Sequence, residues 1–405
     1  MPLFQDPQTS TLMYHYMDHV ADLLQPVLHP MNPWRTTYFP FALEGCPELF
    51  LSQSSFPSSY ASIALFHSLL SSAAFHLRNA TGDSKKFYKL GLQHRAKSLR
   101  ALNAALTCPN ESQLYTVYLT AMLSLVTIDT ITGEDTDFPI HLKACRQLRK
   151  PPPGTLNDTS RPVDTIFHFL SLLARTTSLR PESCPEPPDS TRLFDQVTHF
   201  SSDERSIEHI YGITPKLGNL LEKTCQIAES LTVYKGNQIP TILLTMSEEL
   251  KYELCAWDID SEPFYSIGPE HGTMLEIARC QARAFHSAVL IFYYRTIEYY
   301  NPINLEDEVS FIWKNLTTAE DLKDDFMHGE KRAAPMSWPA FIAACEATDR
   351  ESWAEWWTRV QGYRVGNFAK QWRVIQRLWN IMDNDETSKS WVDALKRSGE
   401  LILPI

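Results

Sequence analysis

The chain has 405 residues, 43% of them hydrophobic and 11% aromatic, enough to bury a large core, and this excludes global disorder. Lys and Arg total 37 against 48 Asp and Glu, a formal net charge of −11, which argues against a surface that holds nucleic acid phosphates over a wide area and leaves only a local basic face open. With 14 glycines, few alternating runs and many stretches of 3.6-residue apolar period, the sequence predicts an all-α protein of packed antiparallel helices without significant sheet.

The N-terminus, Met1 to Asp6, has no basic segment followed by an apolar run, so no secretory signal is expected. The longest apolar stretches, near Leu119 to Ile128 and Ala288 to Tyr294, fall short of the roughly 20 residues of a membrane span, and no membrane partner is expected. Met13, Met17, Val20, Leu24 and Val27 stripe a first helix that Pro26 and Pro30 terminate. His15 and His19 stand four apart beside Asp18 and Asp22, a spacing a zinc-binding helix would use; with no H-E-x-x-H and no further ligand marked, a solvated polar face and no metal are expected. Pro30 to Pro40 is too proline-rich to be helical and should lie, with its aromatics, across the surface of the helical body.

Three apolar-periodic segments follow, Ser58 to Leu77, Ser84 to Leu106 and Gln113 to Thr130, then a fourth from Asp137 to Leu148. The second carries the densest basic patch, Lys85, Lys86, Lys89, His94, Arg95, Lys97 and Arg100, read as a solvated face, with phosphate contact or nuclear import as the sharper alternative. Proline-rich stretches around 151–154 and 180–190 flank a short helix over Val163 to Ala174. The whole chain, 1–405, is therefore read as a single domain, with helical halves at 8–149 and 205–398 and a break over 150–204.

The second half opens with Ser206 to Leu231 and Ile239 to Trp257, then a central, buried helix from about Gly272 to Tyr299. Leu305 to Phe326 mixes carboxylates with large apolar residues, which suits either an acidic activation segment or a helix packed on the domain; burial of Phe311, Ile312 and Trp313 decides between them. Ser337 is placed to cap a helix whose first turn holds Pro339, and Thr348 with Glu351 reads as a capping box. Glu346 and Arg350 have the spacing of an i, i+4 ion pair. Tryptophans 338, 353, 356, 357, 372 and 379 form either a core seam or the wall of a ligand cavity.

No chemistry is advertised. Eight cysteines, at 46, 108, 145, 184, 225, 255, 280 and 345, form no C-x-x-C, so no zinc site is read and reduced cysteines in a cytosolic or nuclear compartment are expected. Neither G-x-S-x-G nor a phosphate-cradling glycine loop occurs, so no enzyme, no catalytic residue and no cofactor are expected.

The closing string Trp338-Pro339-x-Phe341-Ile342-Ala343-x-x-Glu346-Ala347, followed by Arg350, Trp353, Trp357, Val374-Ile375 and Trp379, resembles the end of the fungal-specific regulatory domain of binuclear zinc-cluster transcription factors. Leu12 to Tyr16 with Asn32 to Arg35, Phe39 to Ala42, Phe138 to Arg146, Ile207 to Leu221 and Ala288 to Arg295 are similar to that family's earlier elements, in the same order. The resemblance implies a nuclear regulator of RNA polymerase II genes, with nutrient regulation or secondary metabolism as its field. As partners it implies transcriptional co-regulators or a DNA-binding protein, a homo- or heterodimer, and a small-molecule effector. The family's six-cysteine cluster is not seen ahead of the first helix, so no direct DNA contact is expected from this chain. The competing expectation is a helical small-molecule-binding protein, or an enzyme, with a tryptophan-lined pocket. Trp338, Pro339, Glu346, Arg350, Trp353, Trp357 and Trp379 are expected to be structural members of the motif.

Overall fold

The computed structural model describes residues 6–46, 59–80, 84–107, 115–134, 137–148, 159–178, 200, 205–234, 238–262, 264–268, 271–299, 302–330, 332–384 and 390–405. Among these every regular element is helical, as the 3.6-residue period predicts. In chain order they are α1 (Pro7–His15), continuing through a π turn (Tyr16–Val20) to Leu23; α2 (Phe39–Leu43), entered through a π turn (Trp34–Tyr38); α3 (Tyr60–Ala80); α4 (Ser84–Thr107); α5 (Tyr115–Thr132); α6 (Phe138–Gln147); and α7 (Ser160–Ser178). Then come α8 (Ser206–Tyr211), α9 (Pro215–Val233), α10 (Thr241–Cys255), α11 (Gly272–Tyr293) with a π turn (Tyr294–Glu298), α12 (Glu306–Phe326), α13 (Trp338–Glu346), α14 (Arg350–Val360), α15 (Gly366–Asn384) and α16 (Trp391–Ser398). The proline-rich stretches around 151–154 and 180–190 lie outside the described residues.

Two boundaries differ from the sequence reading. Pro30 to Pro40 is largely helical and its aromatics Trp34 and Tyr38 are buried. Pro33 precedes the π turn and Pro40 sits in the first turn of α2, places where a missing N–H costs no helical bond. Asn32 fixes this entry: its Nδ2 donates to the Ala21 carbonyl at 2.9 Å and its Oδ1 accepts from the Trp34 N–H at 2.9 Å. The segment read as one helix over 206–231 is two. Gly212, at φ +68°, ends α8 in the left-handed conformation that favours glycine, and Thr214 then caps α9, whose first turn begins at Pro215.

By density of contacts the chain forms two compact units: Met1–Phe167 with Glu330–Ala334 and Arg359–Lys370, and His168–Gly329 with Pro335–Thr358 and Gln371–Ile405. In the first, α3 packs against both α4 and α5, and α6 packs on α5. The α3–α4 seam is built from small and polar groups: Ser68 and Ser98 share a 2.7 Å hydrogen bond, Ser71 donates to the Gly91 carbonyl at 2.9 Å, and a Cβ on Gly91 would stand 2.7 Å from the Phe75 ring. Helices α3 and α5 are long and apolar enough to cross a bilayer, yet 78% and 83% of their apolar windows are buried within the fold, so packing uses that hydrophobicity. Residues 359–370 are sewn to the same unit: the Asn79 Nδ2 donates to the Arg364 carbonyl at 2.9 Å, the Arg364 Nη1 donates to the Ala80 carbonyl at 2.7 Å, and Gly366 meets the Thr132–Gly133 backbone directly.

His15 does not lie on a solvated face. Its Nε2 is 2.8 Å from the Nδ1 of His76, whose Nε2 is 3.2 Å from the Tyr363 carbonyl. A carbonyl only accepts, so His76 carries its proton on Nε2 and takes a hydrogen bond from His15 on Nδ1. His67 and His94 form a second contact, Nδ1 to Nδ1 at 3.1 Å. Burial, aided by neighbouring cations, lowers all four from 6.5, to about 3 for His15 and His67 and about 4 for His76 and His94. The unfolded chain therefore binds protons that the folded one refuses between pH 6.5 and about 4. Stability is complete above the unfolded value and falls with pH through that window, by up to about 1.4 kcal/mol per pH unit for each histidine. Urea unfolding at a series of pH values should show this loss, and His76→Gln should flatten its slope; a slope unchanged by the substitution would refute the assignment.

The second unit is centred on α11, as its apolar stripe predicts; it packs against α12 and α13, and α9 packs against both α10 and α11. Phe169, Tyr211, Phe285 and Trp338 make a continuous aromatic run, with ring centroids 4.1 Å (Phe169–Tyr211), 6.1 Å (Phe169–Phe285) and 4.9 Å (Phe285–Trp338) apart. Helix α12 is a packed helix: Ile312 is fully buried and the Trp313 indole N–H donates to the Ser352 carbonyl at 3.1 Å, while Phe311 stays exposed. Its Glu320 and Lys323 bury a salt bridge of 2.8 Å.

Candidate functional site

The second unit holds two candidate sites, the closing motif and a cleft. The motif is a core. Every residue of α13 is buried, Trp338 and Pro339 included. The Trp338 indole N–H donates to the Thr176 hydroxyl at 3.0 Å, and the Trp379 indole N–H donates to the Ala344 carbonyl at 2.8 Å. Trp353, Trp356 and Trp357 meet edge to face, and Trp372 stacks on Trp357 and turns its edge to Trp379. Ring-to-ring contacts of this kind are those of a packed seam, and they favour a core over a tryptophan-lined pocket.

The caps differ from the sequence reading. The Ser337 hydroxyl makes no capping bond; it accepts from the Gln371 side chain at 2.7 Å inside the core. At α14 the carboxylate of Asp349 accepts from the Ser352 N–H at 3.2 Å and from its hydroxyl at 2.7 Å, while Thr348 donates to Glu306 instead of forming a capping box with Glu351. Asp349 is a residue type that caps as well as threonine does, so a capped start is found here one residue later than Thr348.

Glu346 and Arg350 do not pair, because α13 ends at Glu346 and Ala347 leaves the helix. Glu346 takes both arms of the Arg295 guanidinium, each at 2.5 Å, with 4% of either side chain exposed. Burial pushes the Glu346 carboxyl upward and the guanidinium pulls it back. Arg350 makes a bidentate pair with Asp383 at 2.6 and 2.7 Å and lies over the Trp379 ring. The motif thus ties α11, α13, α14 and α15 together.

The cleft holds about 500 Å³, and its lining includes Phe200, Glu208, Thr214, Lys216, Lys223, Glu253, Glu262 and Tyr265. Thr214 donates to the Glu262 Oε2 at 2.5 Å, and Lys216 meets the other oxygen at 2.8 Å. Lys223 faces Glu253 at 2.7 Å. Glu208 is buried and accepts from the Tyr265 and Ser266 N–H groups at 2.8 and 2.7 Å; burial raises its carboxyl and those donors lower it. Charges of both signs thus converge on a space the size of a small metabolite, with an aromatic at its edge. None of these residues was singled out from sequence. Only the family-like element over Ile207 to Leu221 touched the neighbourhood, because the cleft is assembled from separate loops and helix ends.

Among the described residues no group of three or more His, Cys, Asp or Glu has the geometry of a metal site. Of the six cysteines among the described residues, five are buried and Cys255 is exposed.

Compared with known proteins, residues 11–405 match the family described as fungal specific transcription factor domain. The chain is 22% identical over 487 aligned positions to arginine metabolism regulation protein II of Saccharomyces cerevisiae, covering 95% of this chain and 54% of that protein. The chain thus spans about half the length of that curated relative. No solved structure matches.

Proposed function

Because the chain belongs to the fungal-specific transcription factor domain family, we propose that residues 1–405 act as one regulatory domain of a nuclear regulator of RNA polymerase II transcription, through protein contacts and a small effector held in the Lys216–Glu262 cleft. The regulatory half rests on the match over 11–405 and on a yeast relative whose name places it in regulation of arginine metabolism. The effector half rests on one observation, the two Lys–Glu pairs facing a cleft of about 500 Å³. A ligand with an ammonium or guanidinium and a carboxylate can exchange with such pairs, taking Glu262 and Glu253 for its cation and Lys216 and Lys223 for its anion. L-arginine is the first molecule to test, since it fits that charge pattern and the relative's named field.

Tethering the chain to a heterologous DNA-binding domain in a reporter strain should change transcription in a nutrient-dependent way; an unchanged reporter across nitrogen sources would overturn the reading. In calorimetry with the purified chain, L-arginine binding should weaken roughly tenfold or more in Glu262→Gln and Glu253→Gln. Equal affinity in these variants would remove the cleft from the proposal while the reporter result stands alone.

A further inference from the structure

We propose that the outer face of α4 is a docking site for an acidic amphipathic helix of a partner protein. Helix α4 is turned inside out relative to an ordinary surface helix. Its buried side holds mostly small or polar residues, Gly91, His94, Ser98, Ala101 and Ala105, with Leu90 and Leu102 beside them. Three leucines point outward: Leu92, Leu99 and Leu106 are 43%, 40% and 44% exposed. They recur every seven residues with exposed Lys89, Ala96 and Asn103 in the alternate places. That is a heptad seam, with leucine at one core position and an asparagine of the kind that fixes register at the other. From Leu92 to Leu106 it runs roughly 21 Å along the helix, long enough for about two heptads of a second helix.

Charge selects the occupant. The chain carries a net charge of −11, yet α4 has four lysines, two arginines and no carboxylate. Arg95 is used inside the fold, pairing with Asp129 and Asp137. Among the described residues Lys85, Lys86, Lys89, Lys97 and Arg100 have no carboxylate partner, and Lys86 and Arg100 flank the leucine line. A second copy would set these cations against their own kind. Nucleic acid would use the charges but have no use for the central leucines. A helix with leucines in its seam and Glu or Asp at its margins satisfies both. This inference does not rest on the effector cleft, which lies in the other compact unit.

The probe is a fluorescein-labelled synthetic peptide of about four heptads with leucine and isoleucine in the seam and glutamate at both margins, against a matched peptide with lysine margins. Fluorescence anisotropy with the full chain should show the glutamate peptide binding and the lysine peptide not. Leu92→Asp with Leu99→Asp should weaken binding roughly tenfold or more, and Lys86→Glu with Arg100→Glu should reverse the preference between the peptides. All four side chains are exposed, so circular dichroism and melting should be unchanged; should the aspartate pair melt early, the charge-reversal pair carries the test. Equal binding of the two peptides, or none, overturns the proposal. So does a short DNA duplex whose binding ignores Leu99→Asp but falls in Lys86→Glu with Arg100→Glu, or a dimer in sedimentation that Leu99→Asp dissolves.

Discussion

Glu346→Ala is expected to cost about 3–5 kcal/mol of folding stability, the range for removing one member of a buried ion pair. The alanine leaves the Arg295 guanidinium, on the π turn that ends α11, buried with neither arm of its fork satisfied. Glu346→Gln keeps the shape and one acceptor and should cost less, because the lost term is then charge and one hydrogen bond. Replacing both partners, Arg295→Met with Glu346→Leu, should recover most of the loss, since an apolar pair carries no desolvation cost. Urea unfolding of the two single variants and the double variant, read as a double-mutant cycle, measures the coupling. A Glu346→Ala loss below about 1 kcal/mol would show the pair to be solvated and the assignment wrong.

Trp338→Ala should be comparably severe, about 3–5 kcal/mol, the range for truncating a large aromatic in a packed core. Trp338 is fully buried, it lies against Phe285 and Phe292, and its N–H is spoken for by Thr176. Trp338→Phe separates volume from hydrogen bonding. It retains an aromatic but leaves the Thr176 oxygen without its donor, a loss of about 1–3 kcal/mol; the Thr176 hydroxyl keeps its own bond to the Leu173 carbonyl at 2.7 Å. Thermal unfolding together with near-ultraviolet circular dichroism reads both effects. If Trp338→Ala melted within a few degrees of the parent, the ring would not be the keystone its burial implies.

Helices α3, α4, α5 and α11 could be read in advance because each repeats an apolar or small residue every three or four positions, and that period is written locally. The tryptophan seam from Trp353 to Trp379 was legible for the same reason. Pro30 to Pro40 misled because a proline that breaks a helix and one that starts it look alike until the first turn is located. The Glu346 partner was invisible because the nearer cation, Arg350, had helical spacing, whereas the true one, Arg295, arrives from another helix. Polar residues of the cleft were missed altogether: nothing local to Glu208, Glu262 and Lys223 marks them until the chain folds them onto one space.

The meeting of Gly133 and Gly366 has a consequence of a different kind. Main chain touches main chain there: a Cβ on Gly366 would stand 2.1 Å from the Thr132 carbonyl oxygen, and one on Gly133 would stand 2.2 Å from the Gly366 carbonyl oxygen, with Gly133 also at φ +64°. Most tight spots in a protein can be relieved by trimming a neighbouring side chain, which gives evolution a second-site escape. Here there is no side chain to trim. The two positions are locked to one residue type each, so this joint can drift in sequence only if the backbone on both sides is rebuilt together.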